Sequence, residues 1–259
     1  MATTEELAAR LRAAYAGPPI ATLRDGLAAN DVDGAYAIQA ANTSYWVAGG
    51  RRIAGRKVGL TAEAVQRQFG VHQPDYGVLF DDMVLPDGSV VARNSLLQPK
   101  IEGEVALVMG RDLDNPRANL FDVLAAAAYA LPAIEIVDSR IADWKITIAD
   151  TIADNASAAF IVLGTEARSL AGLDLFTCGM ILQSDGKIVS TGVGAACLGN
   201  PLNAAAWLAR TLSARGEPLR SGDIIMTGAL GPMVSLQGAR QVRLSIGGLG
   251  SVGFVMGEA

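Results

Sequence analysis

The stretch QPKIEGEVALVM, residues 98–109, predicts a long β-strand in which two acidic side chains are set among apolar ones. Successive side chains of a strand point to opposite faces, so Glu102 and Glu104 share one face with Ala106 and Val108. Two like charges on an apolar face repel each other and are costly to bury. We therefore expect a positive charge beside this pair.

A third carboxylate of the same character follows downstream. Glu135 lies in LPAIEIV, residues 131–137, with apolar residues on both sides. Three carboxylates without a histidine or thiolate partner favour a hard cation with oxygen ligands, Mg²⁺ or Mn²⁺. Spacing alone leaves a second interpretation equally open, in which Lys57, Lys100 or Arg140 forms structural salt bridges with these acids.

On either side of this strand, apolar runs alternate with turn residues. Their spacing predicts helices at residues 3–16, 33–48, 61–69, 120–130 and 201–214, with Asp33 and Thr61 as the N-caps of the second and third. Strands are predicted at residues 52–59, 76–80, 83–85, 100–109, 133–137, 158–163, 177–183, 187–191, 223–227, 241–246 and 251–255. Because regular βαβ alternation is absent, we predict an α+β fold, with a helical N-terminal segment (1–50) and a β-rich body (51–259).

The composition limits the classes of partner. The net charge is −5 without a basic cluster, so we expect no nucleic-acid binding. Cys178 and Cys197 form no CxxC motif, which argues against a thiolate zinc site and fits a reducing, cytoplasmic compartment. We expect neither a signal peptide nor a membrane span. The apolar fraction of 51% exceeds what one modest globule needs and indicates a homo-oligomer.

The chemistry available to the chain is restricted by its histidine content. His72 is the only histidine, so a histidine-based triad or a multi-histidine metal site is excluded. Acid–base chemistry must then fall on carboxylates, lysine, tyrosine or water. The glycines at 192–194 do not open directly onto a helix, because Pro201 comes first, and we expect no nicotinamide cofactor.

Several motifs, in order across nearly the whole chain, resemble those of the fumarylacetoacetate hydrolase superfamily. The branch they resemble most is the hydratase/decarboxylase group of aromatic meta-cleavage pathways. The matching strings are GRKVGLT (55–61), QPDYGVLF (73–80), KIEGEVALVMG (100–110), AIEIVDSRIADWK (133–145), ADNASAAFIVLG (153–164), GNPLNAAAWLA (199–209) and GALGPM (228–233). The last two are more similar to 2-hydroxypenta-2,4-dienoate hydratases than to 4-oxalocrotonate decarboxylases.

This resemblance implies a fumarylacetoacetase-like β-rich roll that forms the catalytic domain. It also implies a bound Mg²⁺ or Mn²⁺, a homo-oligomer that is often a pentamer or decamer, and association with neighbouring pathway enzymes. The metal ligands implied by the motifs are Glu102, Glu104 and Glu135.

The resemblance further implies a functional lysine at Lys57, an acid–base aspartate at Asp75 and a substrate-side serine at Ser157. The residues alone leave other interpretations open. Without the resemblance, the residues favour a strand lysine paired with a glutamate for Lys57 and a turn residue after Pro74 for Asp75, and they also allow Ser157 as the cap of a turn. His72 departs from the family pattern, since an acidic residue is more usual at that position.

The implied activity is metal-dependent addition of water to 2-hydroxypenta-2,4-dienoate, or a close 2-hydroxydienoate, in aromatic or steroid catabolism. The product would be a 4-hydroxy-2-oxoalkanoate. A decarboxylase of a 2-oxo-3-enedioate with the same metal site is the alternative. A C–C hydrolase is disfavoured because those enzymes generally use a histidine beside an acidic residue. The intact acidic triad argues against a purely structural or regulatory role.

Overall fold

A computed structural model describes residues 1–258, without the side chains of residues 68 and 69. Its helices are α1 (Thr4–Ala14), α2 (Val32–Ala48), α3 (Glu63–Phe69), α4 (Leu120–Ala126), α5 (Ile148–Ala153) and α6 (Pro201–Ala214). Its strands are β1 (Ile53–Gly59), β2 (Asp75–Phe80), β3 (Val84–Pro86), β4 (Val90–Val91), β5 (Lys100–Met109), β6 (Ala127–Val137), β7 (Ala158–Leu163), β8 (Gly179–Ser184), β9 (Lys187–Val193), β10 (Ile224–Ala229), β11 (Val234–Ser235), β12 (Gln241–Ile246) and β13 (Gly250–Met256). The predicted α+β class is confirmed.

The strands form two sheets that pack against each other. The larger has the order β2-β1-β10-β5-β6-β7-β3, with β11 also paired to β5, and the smaller has the order β4-β13-β12-β8-β9. Gly103 of β5 lies against the smaller sheet, where an added Cβ would come within 2.6 Å of Leu244 Cδ1 and 3.2 Å of Met180. Ile101 and Leu107, on the same face of β5, are fully buried in the core between the sheets.

The opposite face of β5 carries the acidic residues. Glu102, Glu104 and Ala106 alternate with the core residues, as the strand period predicts. Ala106 belongs to a second apolar cluster on this outer face, together with Ile161 and Met226 of neighbouring strands. The acidic site therefore lies outside the main core, on the outer face of the larger sheet.

The N-terminal helices pack closely on the rest of the chain. Helix α2 contacts both α1 and α5. Leu7, Leu11 and Ile38 are buried in the same apolar cluster as the core between the sheets. A boundary near residue 50 stays a prediction, and these helices share the core of the β-rich body.

The predicted helix at residues 120–130 is wrong in its second half. Helix α4 ends at Ala126, and β6 begins at Ala127 rather than at Ala133. The alanine-rich run favours a helix by intrinsic propensity. Pairing of β6 with β5 along its whole length, from Met109↔Ala127 to Lys100↔Val137, satisfies the backbone instead. Tertiary pairing thus overrides local preference.

Two predicted helix caps are also wrong. Helix α2 is capped by Asp31, whose carboxylate accepts a backbone N–H at 2.9 Å, while Asp33 lies in the first turn. The N-cap position of α3 is Ala62, which has no side-chain cap. Thr61 is instead buried, and its carbonyl accepts a hydrogen bond from the Leu198 N–H. The residues at which these two helices begin depend on tertiary contacts that the sequence pattern does not reveal.

Other local predictions are confirmed. Helix α6 runs from Pro201 to Ala214, as predicted. The turn between β8 and β9 has positive φ at Asp185 (48°) and Gly186 (76°), as expected for a tight hairpin. Within residues 1–258, no helix combines the length and the apolar character that crossing a membrane requires.

Candidate metal centre and active site

Three glutamates meet on the outer face of the larger sheet. Glu102 and Glu104 project from β5, and Glu135 of β6 stands directly opposite Glu102 in the antiparallel register. One carboxylate oxygen from each glutamate lies within 4.8 Å of those from the other two. Glu104 and Glu135 are 0% and 1% exposed, whereas Glu102 is half-buried. Two of the three carboxylates are therefore buried, and the cluster is accessible beside the third, Glu102.

Half of the six carboxylate oxygens in the cluster are buried without a hydrogen-bond donor in the described part of the chain. Glu104 Oε2 accepts a hydrogen bond from the Gly228 N–H at 2.7 Å. Among the described residues, Glu104 Oε1 and both oxygens of Glu135 accept none. Buried anionic oxygens are costly unless a positive charge or a metal compensates them. A set of carboxylate oxygens gathered in one place fits a hard divalent cation.

Burial and mutual repulsion raise the pKa values of this cluster. Burial, and then the charge of Glu135, raise the pKa of Glu102 to about 7. The pKa of Glu104 is raised well above its ordinary value by burial and by the two neighbouring glutamates. An adjacent cation has the opposite effect, because it favours the ionised form. The cluster therefore requires a compensating positive charge, and the side chains of the protein supply only part of it.

Lys57 of β1 supplies the positive charge that the protein itself places beside the three glutamates. Its Nζ lies 3.3 Å from Glu135 Oε1, and both side chains are buried. Burial alone would lower the pKa of Lys57, but Glu135, Asp75 and the other two glutamates raise it above its ordinary value. Lys57 is therefore a fixed positive charge at the edge of the cluster. The simpler interpretation from sequence, a strand lysine paired with a glutamate, describes this contact.

The other two cations of the salt-bridge interpretation are engaged elsewhere. The Lys100 ammonium lies 4.1 Å from the centre of the Trp144 ring. Arg140 forms its ion pair with Asp154, at 2.6 Å. Within residues 1–258, Lys57 is the one basic side chain in a salt bridge with the three glutamates. Structural salt bridges therefore leave most of the negative charge without compensation.

Asp75 lies at the start of β2, opposite Gly59 of β1. It is 1% exposed, and in the described part of the chain its Oδ1 has no hydrogen-bond partner. Burial and the charge of Glu135 outweigh the opposing effect of Lys57 and raise the pKa of Asp75 to about 6. A carboxyl that titrates near neutrality can both give and accept a proton at physiological pH.

Two glycines that sequence reasoning missed shape this site. A Cβ on Gly59 would lie 2.2 Å from Asp75 Oδ1 and 3.3 Å from Lys57 Nζ, so only glycine leaves room for both groups. A Cβ on Gly228, whose φ is 110°, would lie 2.3 Å from Thr61 Oγ1. Their signal was present in GRKVGLT and GALGPM, but it requires knowing which side chains face them.

Ser157 lies in a strained turn immediately before β7. Asn155, Ala156 and Ser157 have φ values of 55°, 50° and 55°, in the left-handed region that non-glycine residues occupy only rarely. Ser157 is 3% exposed, and its Oγ lies 3.4 Å from Thr151 Oγ1. A substrate contact for this hydroxyl stays a prediction. His72 is exposed in the segment between α3 and β2.

Comparison with known proteins assigns the chain to a family. The family model described as Fumarylacetoacetate (FAA) hydrolase C-terminal matches residues 54–255. The chain belongs to the fumarylacetoacetate hydrolase family. The matched region contains the carboxylate cluster, Lys57, Asp75 and Ser157, and it leaves out α1 and α2.

Relatives of this fumarylacetoacetate hydrolase family member include hydratases. It is 54% identical over 249 residues to 2-keto-4-pentenoate hydratase 2 of Dechloromonas aromatica (strain RCB), covering 96% of this chain and 95% of the relative. It is 41% identical over 234 residues to 2-hydroxyhexa-2,4-dienoate hydratase of Comamonas testosteroni, covering 90% and 89%. The resemblance inferred from the motifs is confirmed.

A solved structure supports the fold of this family member over its whole length. The 4-oxalocrotonate decarboxylase from Pseudomonas putida G7, complexed with magnesium and adipate, matches with a TM-score of 0.90 and 35% sequence identity. The match covers 99% of each chain, so it includes the N-terminal helices. The predicted fumarylacetoacetase-like roll is thereby confirmed.

Beside the candidate site of this family member, a buried ion pair supports the strained turn. Arg140 and Asp154 are 2% and 0% exposed at their side chains. The Arg140 guanidinium also donates to the backbone carbonyls of Asp154 (2.8 Å) and Ala158 (3.2 Å), on either side of Ser157. All of these contacts hold the turn that carries Ser157 against the end of β6.

Replacing Arg140 by methionine is expected to lower the free energy of unfolding by about 3–5 kcal/mol, because it leaves a buried carboxylate without its partner. Urea denaturation of the two proteins measures the difference. Arg220→Met, which breaks an ion pair with Asp112 whose side chains are 62% and 53% exposed, serves as the control and should cause no measurable change. Equal losses in both variants would contradict a special role for the buried pair.

Proposed function

We propose that this chain is a divalent-metal-dependent hydratase of meta-cleavage catabolism of aromatic or steroid compounds. Its substrate is 2-hydroxypenta-2,4-dienoate or a close 2-hydroxyalka-2,4-dienoate, and its product is the 4-hydroxy-2-oxoalkanoate. The observation that carries the proposal is the buried carboxylate cluster of Glu102, Glu104 and Glu135, faced by Lys57 and Asp75. The family membership and the hydratase relatives support it.

The cation would be held by Glu102, Glu104 and Glu135, and we propose Mg²⁺ or Mn²⁺, which prefer oxygen ligands. Among the described residues, Glu104 Oε1 and both oxygens of Glu135 have no hydrogen-bond partner. Their role as ligand atoms of the cation would explain why these buried oxygens are left without donors. When bound, the cation supplies a Lewis acid that stabilises negative charge on the 2-oxygen of the substrate. The remaining steps depend on protein side chains.

Lys57 binds the substrate carboxylate in this proposal. The pKa of its ammonium is raised by the surrounding carboxylates, so it keeps its positive charge at neutral pH. A fixed charge in a buried site attracts an anionic substrate and orients its reactive end. Ser157 assists by donating a hydrogen bond to the substrate from its buried turn.

Asp75 moves the protons. Its protonated carboxyl gives a proton to C5 of the dienol. The 2-hydroxyl releases its proton to solvent, and the substrate becomes a conjugated 2-oxo-3-enoate. Water then adds at C4 and gives a proton to the ionised carboxylate, and C3 takes a proton from solvent, so that the net change is the addition of one water molecule. The pKa of Asp75, raised to about 6 by burial, makes both forms of the carboxyl available near neutrality.

A decarboxylase with the same cluster is the second candidate, favoured by the likeness to 4-oxalocrotonate decarboxylase. Purified protein should be assayed on 2-hydroxypenta-2,4-dienoate and on 2-oxohex-3-enedioate, with and without Mg²⁺. We expect Mg²⁺-dependent loss of dienol absorbance on the first substrate and no CO₂ from the second. CO₂ release without dienol turnover would replace the hydratase by the decarboxylase.

We also propose that the enzyme is a cytoplasmic homo-oligomer, a pentamer or decamer, that associates with neighbouring pathway enzymes. Large apolar side chains are exposed at several positions, among them Val90, Phe121 and Ile188 at 69%, 71% and 61%. Such side chains are commonly covered in subunit interfaces. Light scattering on the purified protein is expected to give a mass several times that of one chain. A stable monomer at micromolar concentration would contradict the oligomer.

A further inference from the structure

The outward edge of β2 is paired by side chains instead of by another strand. β2 is an end strand of the larger sheet, and among the described strands it pairs with β1 alone, on its inner side. The Tyr76 N–H donates to Tyr36 Oη at 3.2 Å, and the Tyr76 carbonyl accepts from Gln39 Nε2 at 2.9 Å. The Val78 N–H donates to Asn155 Oδ1 at 2.7 Å, and its carbonyl accepts from Asn155 Nδ2 at 2.9 Å.

This arrangement satisfies four backbone groups that an edge strand leaves open. It also places three side chains directly beside the residues that follow Asp75. Gly77, between the two bonded residues, allows the close approach: a Cβ there would lie 2.4 Å from the Asn155 carbonyl oxygen. The strand that begins with Asp75 is thus held from both sides over its first residues.

Gln39 connects this strand to a second segment of the site. Its Nε2 also donates to the Ile152 carbonyl at 3.0 Å, so the two hydrogens of one amide reach two backbone carbonyls. Gln39 is 4% exposed. One of its acceptors follows Asp75 directly, and the other belongs to α5, which leads into the turn of Ser157. One buried amide therefore links the segments that carry these two residues.

We propose that Gln39, assisted by Tyr36, is a positioning residue that fixes Asp75 relative to Ser157 for the reaction. This inference rests on the proposed function, because the roles of Asp75 and Ser157 are assigned there. Gln39 belongs to α2, outside the residues 54–255 that match the family model. The N-terminal helices thus contribute to the geometry of the site as well as to the core.

The amide is required because both of its acceptors are buried backbone carbonyls. A side chain of the same length without donors leaves the Tyr76 carbonyl without its donor and removes one of the donors to the Ile152 carbonyl. We expect β2 or α5 to move in response. Either movement changes the position of Asp75 or Ser157. A misplacement of about 1 Å in a reacting group can cost on the order of 10²-fold in rate.

The test is Gln39→Met, which keeps the length of the side chain and removes both donors. The kcat for 2-hydroxypenta-2,4-dienoate is expected to fall by roughly 10–100-fold, through misplacement of the reacting groups. Mg²⁺ affinity, measured by calorimetry, should stay unchanged, because the hydrogen bonds that Gln39 makes among the described residues go to Tyr76 and Ile152 and not to the carboxylate cluster.

The matched control is Asn42→Leu, one turn further along α2. Asn42 is 2% exposed and accepts a hydrogen bond from Arg12 of α1 at 2.6 Å, and within residues 1–258 its side chain has no hydrogen bond to β2. The thermal midpoint of this variant should fall while its kcat is retained. An equal fall of kcat in Asn42→Leu would show that any defect in α2 disturbs the site, and would overturn the specific role of Gln39.

Tyr36→Phe provides the second variant in case Gln39→Met does not fold. It keeps the ring stacked on Tyr76, with centroids 4.7 Å apart, and removes only the oxygen that accepts the Tyr76 N–H. We expect faster amide exchange in residues 75–78 and a lower kcat with unchanged Mg²⁺ affinity.

The possible outcomes separate the two proposals. If the wild-type protein turns over the dienoate and Gln39→Met or Tyr36→Phe has the same kcat, the positioning role is overturned and the proposed function is left intact. A wild-type protein that does not turn over the dienoate overturns the proposed function and the positioning role with it. Amide exchange in residues 75–78 then still reports whether the side chains hold the strand.

Discussion

A Glu135→Gln variant is expected to lose more than about 100-fold in Mg²⁺ affinity, since even the outer partners of metal ligands are worth 10–100-fold. Glu135 is 1% exposed, and in the described residues neither of its oxygens accepts a hydrogen bond. The amide keeps the shape of the side chain, removes one negative charge and presents an NH₂ group that repels a cation. Calorimetric titration of both proteins with Mg²⁺ measures the loss.

The control for this loss is Glu166→Gln. Glu166 is exposed and paired with Arg168 on the surface, so its loss should leave Mg²⁺ affinity unchanged. Glu102→Gln and Glu104→Gln are expected to behave like Glu135→Gln. Any of the three variants that keeps full affinity removes its residue from the metal site, whereas the fold itself should survive in all of them.

The same titrations carry a pH dependence with a definite sign. The pKa of Glu102 is raised to about 7 by burial and by Glu135, so below that pH the native carboxyl holds a proton that the unfolded chain has lost. The native state then binds more protons, and the stability of the metal-free protein falls as the pH rises towards about 7. Because a metal must displace this proton, Mg²⁺ should bind more tightly, and raise the thermal midpoint more, at about pH 8 than at about pH 6. An equal gain at both pH values would contradict this account.

Strand alternation was sufficient to place Glu102 and Glu104 on one face, because a period of two residues is a local property. It does not give the register that sets Glu135 opposite Glu102. That register depends on where α4 ends and β6 begins, and the alanine-rich sequence before Leu131 favoured a helix there. The identity of the ligand residues could therefore be predicted from the sequence. Their proximity in space could not, because it depends on the register of the sheet.

The side chains that hold β2 could not be predicted for a different reason. Gln39 and Tyr36 are single polar residues inside a helix, and Asn155 is one polar residue in a turn. Nothing in a linear pattern distinguishes them from residues that face solvent. Their roles depend on β2 being an edge strand, which follows from the order of the whole sheet. Asp75 could be identified from its sequence motif, whereas its burial is visible only in the structure.

An Asp75→Asn variant is expected to lose roughly 10²–10⁴-fold in kcat, the usual worth of one acid–base group. The amide has nearly the same shape, but it cannot accept a proton at neutral pH. Mg²⁺ affinity and substrate binding should survive, since the carboxylate cluster and Lys57 remain in place. Steady-state kinetics on the dienoate measures kcat and KM separately. Asp223→Asn is the control, because Asp223 is a partly buried aspartate that accepts a hydrogen bond from the Arg220 N–H outside the site.

Stability distinguishes loss of chemistry from loss of structure in this variant. Burial raises the pKa of Asp75 to about 6, so the ionised carboxylate weakens the native state as the pH rises from the ordinary aspartate range through about 6. An uncharged asparagine avoids this cost, and the thermal midpoint of Asp75→Asn should therefore equal or exceed that of the wild type at about pH 8. A variant that is both inactive and destabilised would indicate that Asp75 shapes the site. A stable variant with nearly wild-type kcat would remove Asp75 from the chemistry and leave Lys57 or a metal-bound water as the proton carrier.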